Sequence, residues 1–313
     1  EDDAATAHLA NEVHVVLNDD QSHALLIQAL ERGDDVAAQV GMHASGGFIE
    51  HHQLRLTHQR TDDAEQLLLP TGQRCCRQIA HRGGERFPMA STFKLLLAAQ
   101  TLRRVDQGHD KLDRRITYAK KDLVTYSPVT EPHADGAGLT VEELCAGTMT
   151  LSDNTAANLL LASNGGPPAL TAYVRSLGDS ITRLDRIEPE LNEARPGDPR
   201  DTTTPVAMVH CIQALALGHA LSPVSREKLQ GWLLANKTGD KRLRARLPEG
   251  WKAGEKTGTA SRGTSNDAGV FWPPARKPIV VSCYLTGGEA PPEQRDAAMA
   301  EIGALVAQWA LAA

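Results

Sequence analysis

No stretch of this chain is long, apolar and uncharged enough to form a helix across a bilayer. The longest uncharged stretch, residues 202–225, is broken by Pro205, His210, Gln213 and His219. There is no long basic block either, and a net charge of -6 with a pI near 6.1 argues against a nucleic-acid binder. Cysteine is scarce and odd in number, five in all, so at least one thiol is free or pairs between chains. None are spaced Cys-x-x-Cys. Cys145, Cys211 and Cys283 fall in helical and strand patterns, where a small buried apolar role is expected. A Gly-x-Ser-x-Gly elbow, a His-x-His zinc cluster and a Gly-Lys phosphate loop are all missing, which disfavours the common hydrolase, metallohydrolase and nucleotide-binding routes. No internal repeat is visible.

What remains is a chain of 313 residues with ordinary globular composition, long enough for one large domain or two smaller ones. Residues 1–76 differ in texture from the rest. Seven of the twelve histidines lie before residue 60, two helical patterns are expected at 4–16 and 22–40, and 43–73 is polar and weakly periodic. His51, His52 and His58 lack metal-ligand spacing, so they are expected to be solvated, and no metal or cofactor is expected anywhere. The chain does not begin with Met and reads as a mature, processed form.

From residue 77 the pattern is dense. A strand is expected at 78–81, and helices at 91–107, 140–149, 155–161, 168–177, 205–217 and 222–236. Strands follow at 251–259, 267–272 and 278–285, the last two joined as an antiparallel hairpin by a Pro-Pro-Ala-Arg-Lys-Pro turn. A final amphipathic helix begins at Pro292. Between helices lies an irregular, charged, Pro-rich loop at 181–205, and a loop this long in a compact domain is usually functional or disordered.

Chemistry enters at Pro88-Met89-Ala90-Ser91-Thr92-Phe93-Lys94. On a helix, residues three apart share a face, so Ser91 and Lys94 put a hydroxyl beside an amine. A desolvated lysine near other cations loses its proton readily and can activate a serine. A chain this long holds about one Ser-x-x-Lys by chance at ordinary residue frequencies, and a second copy does occur, Ser225-Arg226-Glu227-Lys228. That copy reads as the first turn of a helix capped by Ser222 with Pro223 at its first position. Lys-Thr-Gly is also duplicated. Lys237-Thr238-Gly239 follows a helix and reads as its stop, whereas Lys256-Thr257-Gly258 lies in an extended run.

Taken alone, each further motif has a structural reading. Ser152-Asp153-Asn154 is a good turn and cap cluster, Glu188 is a solvated loop acid, Lys256 is a strand-edge charge, Arg242 is one more surface cation, and Tyr126 is packing. Together and in this order, Ser-x-x-Lys, Ser-Asp-Asn and Lys-Thr-Gly form a known signature. On these motifs, and on the loop text Arg186-Ile187-Glu188-Pro189-Glu190-Leu191-Asn192-Glu193-Ala194, the chain resembles the class A serine β-lactamases from residue 77 to about residue 309.

The resemblance implies an α/β (α+β) fold of the penicillin-recognising type, with an antiparallel sheet flanked by helices and an all-helical part. The expected division is an unassigned segment 1–76, a sheet domain of 77–88 plus 235–313, and a helical domain 89–234 carrying an Ω-loop at 181–205. It implies Ser91 as nucleophile, Lys94 or Glu188 as base in acylation, Ser152 as proton carrier to the leaving nitrogen, and Glu188 with Asn192 as holders of the deacylating water. Backbone N–H groups of Ser91 and Thr259 would form the oxyanion hole. Lys256, Thr257, Gly258, Thr259 and Arg242 would receive the substrate carboxylate, Asn154 the acylamide and Tyr126 the cleft wall. Arg186 and Asp201 would pair across the loop neck. The resemblance further implies a small β-lactam as partner, a monomer, and a periplasmic or secreted location. Ala90 and Ala260 stand where the carbapenem-hydrolysing members have a cysteine pair, and Ala98 stands where Cys145 would find its partner. A penicillin-binding DD-peptidase and a non-catalytic sensor domain are the alternatives.

Overall fold

A computed structural model describes residues 78–312, together with the backbone of three short strands that precede them, Asn11–Leu17, Ala37–Ala38 and Leu54–Arg55. The main sheet has five strands: β1 (Asn11–Leu17), β2 (Gln78–Ala80), β3 (Lys252–Thr259), β4 (Ser265–Trp272) and β5 (Ile279–Leu285). Their spatial order is β2-β1-β5-β4-β3. The β3–β4 and β4–β5 pairs are antiparallel, as the hairpin pattern implies, with Lys256 opposite Ala268 and Val281 opposite Gly269. β1 is parallel to both of its neighbours.

β1 corrects the helix expected at 4–16. Its text, Asn-Glu-Val-His-Val-Val-Leu, concentrates β-branched residues, which favour a strand. The stronger cause lies in β5, where every residue is buried, so an unpaired edge would strand buried N–H and C=O groups. β1 pairs that edge from Asn11↔Ile279 to Leu17↔Leu285. The helix expected at 22–40 is also interrupted, because Ala37–Ala38 forms a short antiparallel pair with Leu54–Arg55. The remainder of that pattern, the three histidines at 51, 52 and 58, and Cys75 and Cys76 lie outside the described residues.

The helices begin and end on identifiable chemistry. α1 (Phe93–Asp106) follows a 3₁₀ turn, Ala90–Thr92, and its residues from Phe93 to Leu102 are all buried. Burying each of its Leu side chains contributes roughly 2 kcal/mol, which makes this helix the centre of the larger apolar core. α2 (Val141–Thr150) starts on a Thr140–Glu143 capping box. α3 (Asn154–Asn164) is capped by Asp153 and stops at Gly165, which sits at φ +98°, a conformation glycine adopts without steric cost. α4 (Gly166–Ser176) follows at once. α5 (Pro205–Ile212) and α6 (Pro223–Leu234) each take Pro at the first position after a Thr204 or Ser222 cap. α7 (Pro292–Ala312) closes the chain's last described stretch.

The period-2 alternation of β5 divides its side chains between two cores. Ile279, Val281, Cys283 and Leu285 pack with Met299, Ile302, Leu305 and Val306 of α7, while Val280 and Tyr284 belong to the core around α1. The sheet is thus covered on both faces, and β3, an outer strand, runs along the 3₁₀ turn that carries Ser91.

Candidate active site

Four non-glycine residues with positive φ surround one spot: Ala90 (+44°), Tyr126 (+66°), Ser152 (+60°) and Asp201 (+56°). Each such conformation costs on the order of 1 kcal/mol or more and persists only where neighbours over-determine it. Ala90 delivers Ser91 at the start of α1. Ser152 sits between α2 and α3, and its neighbour Asp153 pins that turn. Asp153 accepts from Ala156 N (2.8 Å), Val129 N (2.8 Å), Thr130 N (2.9 Å) and Thr130 Oγ1 (2.9 Å). Asp153 was legible as a cap residue; its hold on the 127–130 loop was not.

Lys94 is the hub. Its ammonium, fully buried, lies 3.0 Å from Ser91 Oγ, 2.8 Å from Ser152 O, 3.3 Å from Ser152 Oγ, 2.6 Å from Asn154 Oδ1 and 3.0 Å from Glu188 Oε1. Burial pushes its pKa below the usual lysine range, and the Glu188 carboxylate pulls it partly back. On the other side of Ser152, Lys256 Nζ donates to Ser152 Oγ at 3.0 Å and to Thr257 O at 2.9 Å. Lys256 is also completely buried, and burial, followed by the nearby Lys94 charge, drives its pKa well down. One serine hydroxyl therefore bridges two lysines whose protons are held weakly.

Glu188 arrives from the long loop. Its Oε1 is 3.5 Å from Ser91 Oγ, and its Oε2 accepts from Asn192 Nδ2. The 3₁₀ turn Glu190–Glu193 brings Asn192 back under the carboxylate, and the Glu188–Pro189 peptide is cis. Sequence reasoning missed Asn158. From α3 it accepts from Glu188 N at 3.0 Å and donates to Glu188 O at 2.8 Å, so it fixes the backbone that aims the carboxylate. Asn158 is one turn along from Asn154, and that i, i+4 spacing was the available signal.

At the loop neck, Arg186 Nε donates to Asp201 Oδ2 at 2.6 Å, and Arg186 Nη1 reaches Glu193 at 2.7 Å. Asp201 Oδ1 accepts from the N–H groups of Asp185 (2.8 Å) and Arg186 (2.9 Å). Arg242 is buried rather than a surface cation. Its Nη2 donates to Thr259 Oγ1 at 2.7 Å, Nη1 to the carbonyls of Gly258 (2.9 Å) and Asn266 (2.8 Å), and Nε to Asp296 of α7 (2.8 Å). A Cβ on Gly258 would meet Met89 O at 2.9 Å and Ser91 N at 3.2 Å, so the strand approaches the serine turn as closely as a bare backbone permits. Tyr126 is 55% exposed at the rim, and its carbonyl accepts from Asn154 N at 3.0 Å.

The second Ser-x-x-Lys lies away from the site, whereas the first Lys-Thr-Gly abuts it in a supporting role. Ser225 Oγ donates to Asp106 at 2.6 Å, and Lys228 pairs with Glu142. Thr238 of the first Lys-Thr-Gly shares a hydrogen bond with Thr257 of the second, and a Cβ at Gly239 would collide with Glu255. Cys145 is a free, buried thiol whose pKa burial pushes up to about 12.

The chain matches the family described as the beta-lactamase enzyme family over residues 69–310. It is 48% identical over 228 residues to β-lactamase L2 of Stenotrophomonas maltophilia, covering 72% of this chain and 75% of that one. It is 48% identical over 225 residues to β-lactamase AST-1 of Nocardia asteroides, covering 72% of each. Among solved structures, an ancestral class A β-lactamase superposes with a TM-score of 0.73 at 65% identity, covering 74% of this chain and 88% of that chain.

Proposed function

The chain belongs to the class A serine β-lactamase family and hydrolyses β-lactams, and we propose that it does so through an acyl-enzyme on Ser91 that Glu188 then helps to release. The observation that carries this reading is that Ser91 Oγ lies within reach of both Lys94 Nζ, at 3.0 Å, and Glu188 Oε1, at 3.5 Å. Lys94 is the nearer base, and its weakened hold on a proton suits it to take the one on Ser91.

The freed oxygen attacks the lactam carbonyl carbon, and the backbone N–H groups of Ser91 and Thr259 stabilise the oxyanion. As the carbonyl carbon–nitrogen bond breaks, Ser152 gives its proton to the nitrogen, and it is resupplied through Lys94 or Lys256, both hydrogen-bonded to its hydroxyl. Lys256, Thr257, Thr259 and Arg242 attract the substrate carboxylate, Asn154 holds the acylamide, and Tyr126 forms the wall beside it. Glu188 and Asn192 then orient a water at the ester. Glu188 takes one of its protons, the hydroxide oxygen adds to the carbonyl, and as the bond from the carbonyl carbon to Ser91 Oγ breaks, that proton passes from Glu188 to Ser91, directly or through Lys94, which restores the carboxylate.

A transpeptidase of similar build would acylate and stop, because it lacks a carboxylate at this position. Steady-state turnover of a chromogenic cephalosporin separates the two. Sustained turnover with a transient adduct on Ser91 is expected, and a single stoichiometric burst would refute the deacylation role.

A further inference from the structure

Ala90 immediately precedes the nucleophile in a left-handed conformation, φ +44°, and is completely buried. An alanine stays there only if its surroundings hold it. The holding groups converge on the peptide before it. Met89 N donates to Asp201 O at 2.9 Å. Met89 O accepts from Thr92 N at 3.1 Å, from Thr92 Oγ1 at 2.8 Å and from Asn266 Nδ2 at 3.0 Å, and the same Asn266 nitrogen reaches Pro88 O at 2.8 Å. The Thr92 bonds are local to the turn, whereas Asn266 comes from β4, across the sheet.

Asn266 is fully buried, and its Oδ1 has no hydrogen-bond partner. Two carbonyl oxygens facing one end of the carboxamide fix the NH₂ group at that end and leave the oxygen unsatisfied. An uncompensated buried acceptor calls for a reason. We propose that Asn266 is a positioning residue for the reaction: its carboxamide holds the Pro88–Met89 carbonyls so that Ala90 stays left-handed and Ser91 presents its hydroxyl and its backbone N–H to the substrate. The inference rests on Ser91 being the nucleophile. Asn266 also accepts from Arg242 Nη1 through its backbone carbonyl, a contact that a side-chain substitution leaves in place. The two contributions are therefore separable.

The test is a cycle of four full-length proteins, the parent, Asn266→Ala, Ala90→Gly and the double variant, with acylation by a chromogenic cephalosporin followed in stopped flow. Asn266→Ala lowers the acylation rate constant by roughly tenfold or more, with a smaller change in KM because Arg242 keeps its backbone acceptor. Glycine adopts positive φ at no steric cost, so Ala90→Gly restores much of the loss in the Asn266→Ala background. A general loss of packing would not be rescued in this way. Asn266→Leu, which keeps the approximate volume but carries no donor, shows the same acylation defect and serves if the alanine variant does not fold. Parental acylation in either Asn266 variant, or equal effects of Ala90→Gly in both backgrounds, overturns the inference. Absence of a Ser91 adduct in Glu188→Gln, where release is blocked, would instead defeat the nucleophile assignment on which it stands.

Discussion

Lys94 and Glu188 lie paired in a buried site beside a hydroxyl, and either could take the serine proton, Glu188 as the carboxylate or Lys94 as the neutral amine that burial favours. Their coupling makes the choice testable. The Lys94 pKa is lowered by burial and raised by the Glu188 charge. Replacing Glu188 by Gln removes the anion that favours the ammonium form, so the lysine pKa falls further. If Lys94 is the acylation base, pre-steady-state acylation in Glu188→Gln persists and its acid limb moves to lower pH. If Glu188 is the base, acylation is lost across the pH range. Helical spacing named Lys94, because residues three apart share a face, and the loop text shared with the family named Glu188. The sequence reading did not name Asn158, marked only by its i, i+4 spacing from Asn154, or Asn266, whose partners are backbone atoms from far along the chain with no local pattern to mark them.

At the scale of elements, capping chemistry made the helices readable: Thr140 with Glu143, Asp153, Thr204 and Ser222 each stand where their helix begins. The conspicuous failure is β1, read as helix from its apolar spacing. A strand's identity depends on the edge it satisfies, and the edge of β5 is formed by residues more than two hundred positions later. Val13 pairs with both Val281 and Ile79, so its N–H serves a neighbour whichever way it points. Val13→Pro removes that donor and should cost roughly 3 kcal/mol, lowering the thermal midpoint by about 6–12 °C. An unchanged melt would show that β1 contributes nothing to the cooperative unit.

Across the whole molecule, the site lies where the core around α1 meets the sheet. The 3₁₀ turn before α1 supplies Ser91, α1 Lys94, the α2–α3 turn Ser152, β3 Lys256, and the long loop Glu188, which the Arg186–Asp201 clasp holds in place. This convergence was legible only as an ordered set of motifs; the strained turns at Ala90, Tyr126, Ser152 and Asp201 that make it possible left no trace in residue spacing. The central claim is that one pocket both captures and releases an acyl group, and that release depends on a single loop carboxylate. Intact-protein mass spectrometry of Glu188→Gln after mixing with benzylpenicillin tests it most directly. The account predicts a long-lived adduct of one penicilloyl group on Ser91, where the parent clears it within the dead time. Parental clearance by the variant would contradict it.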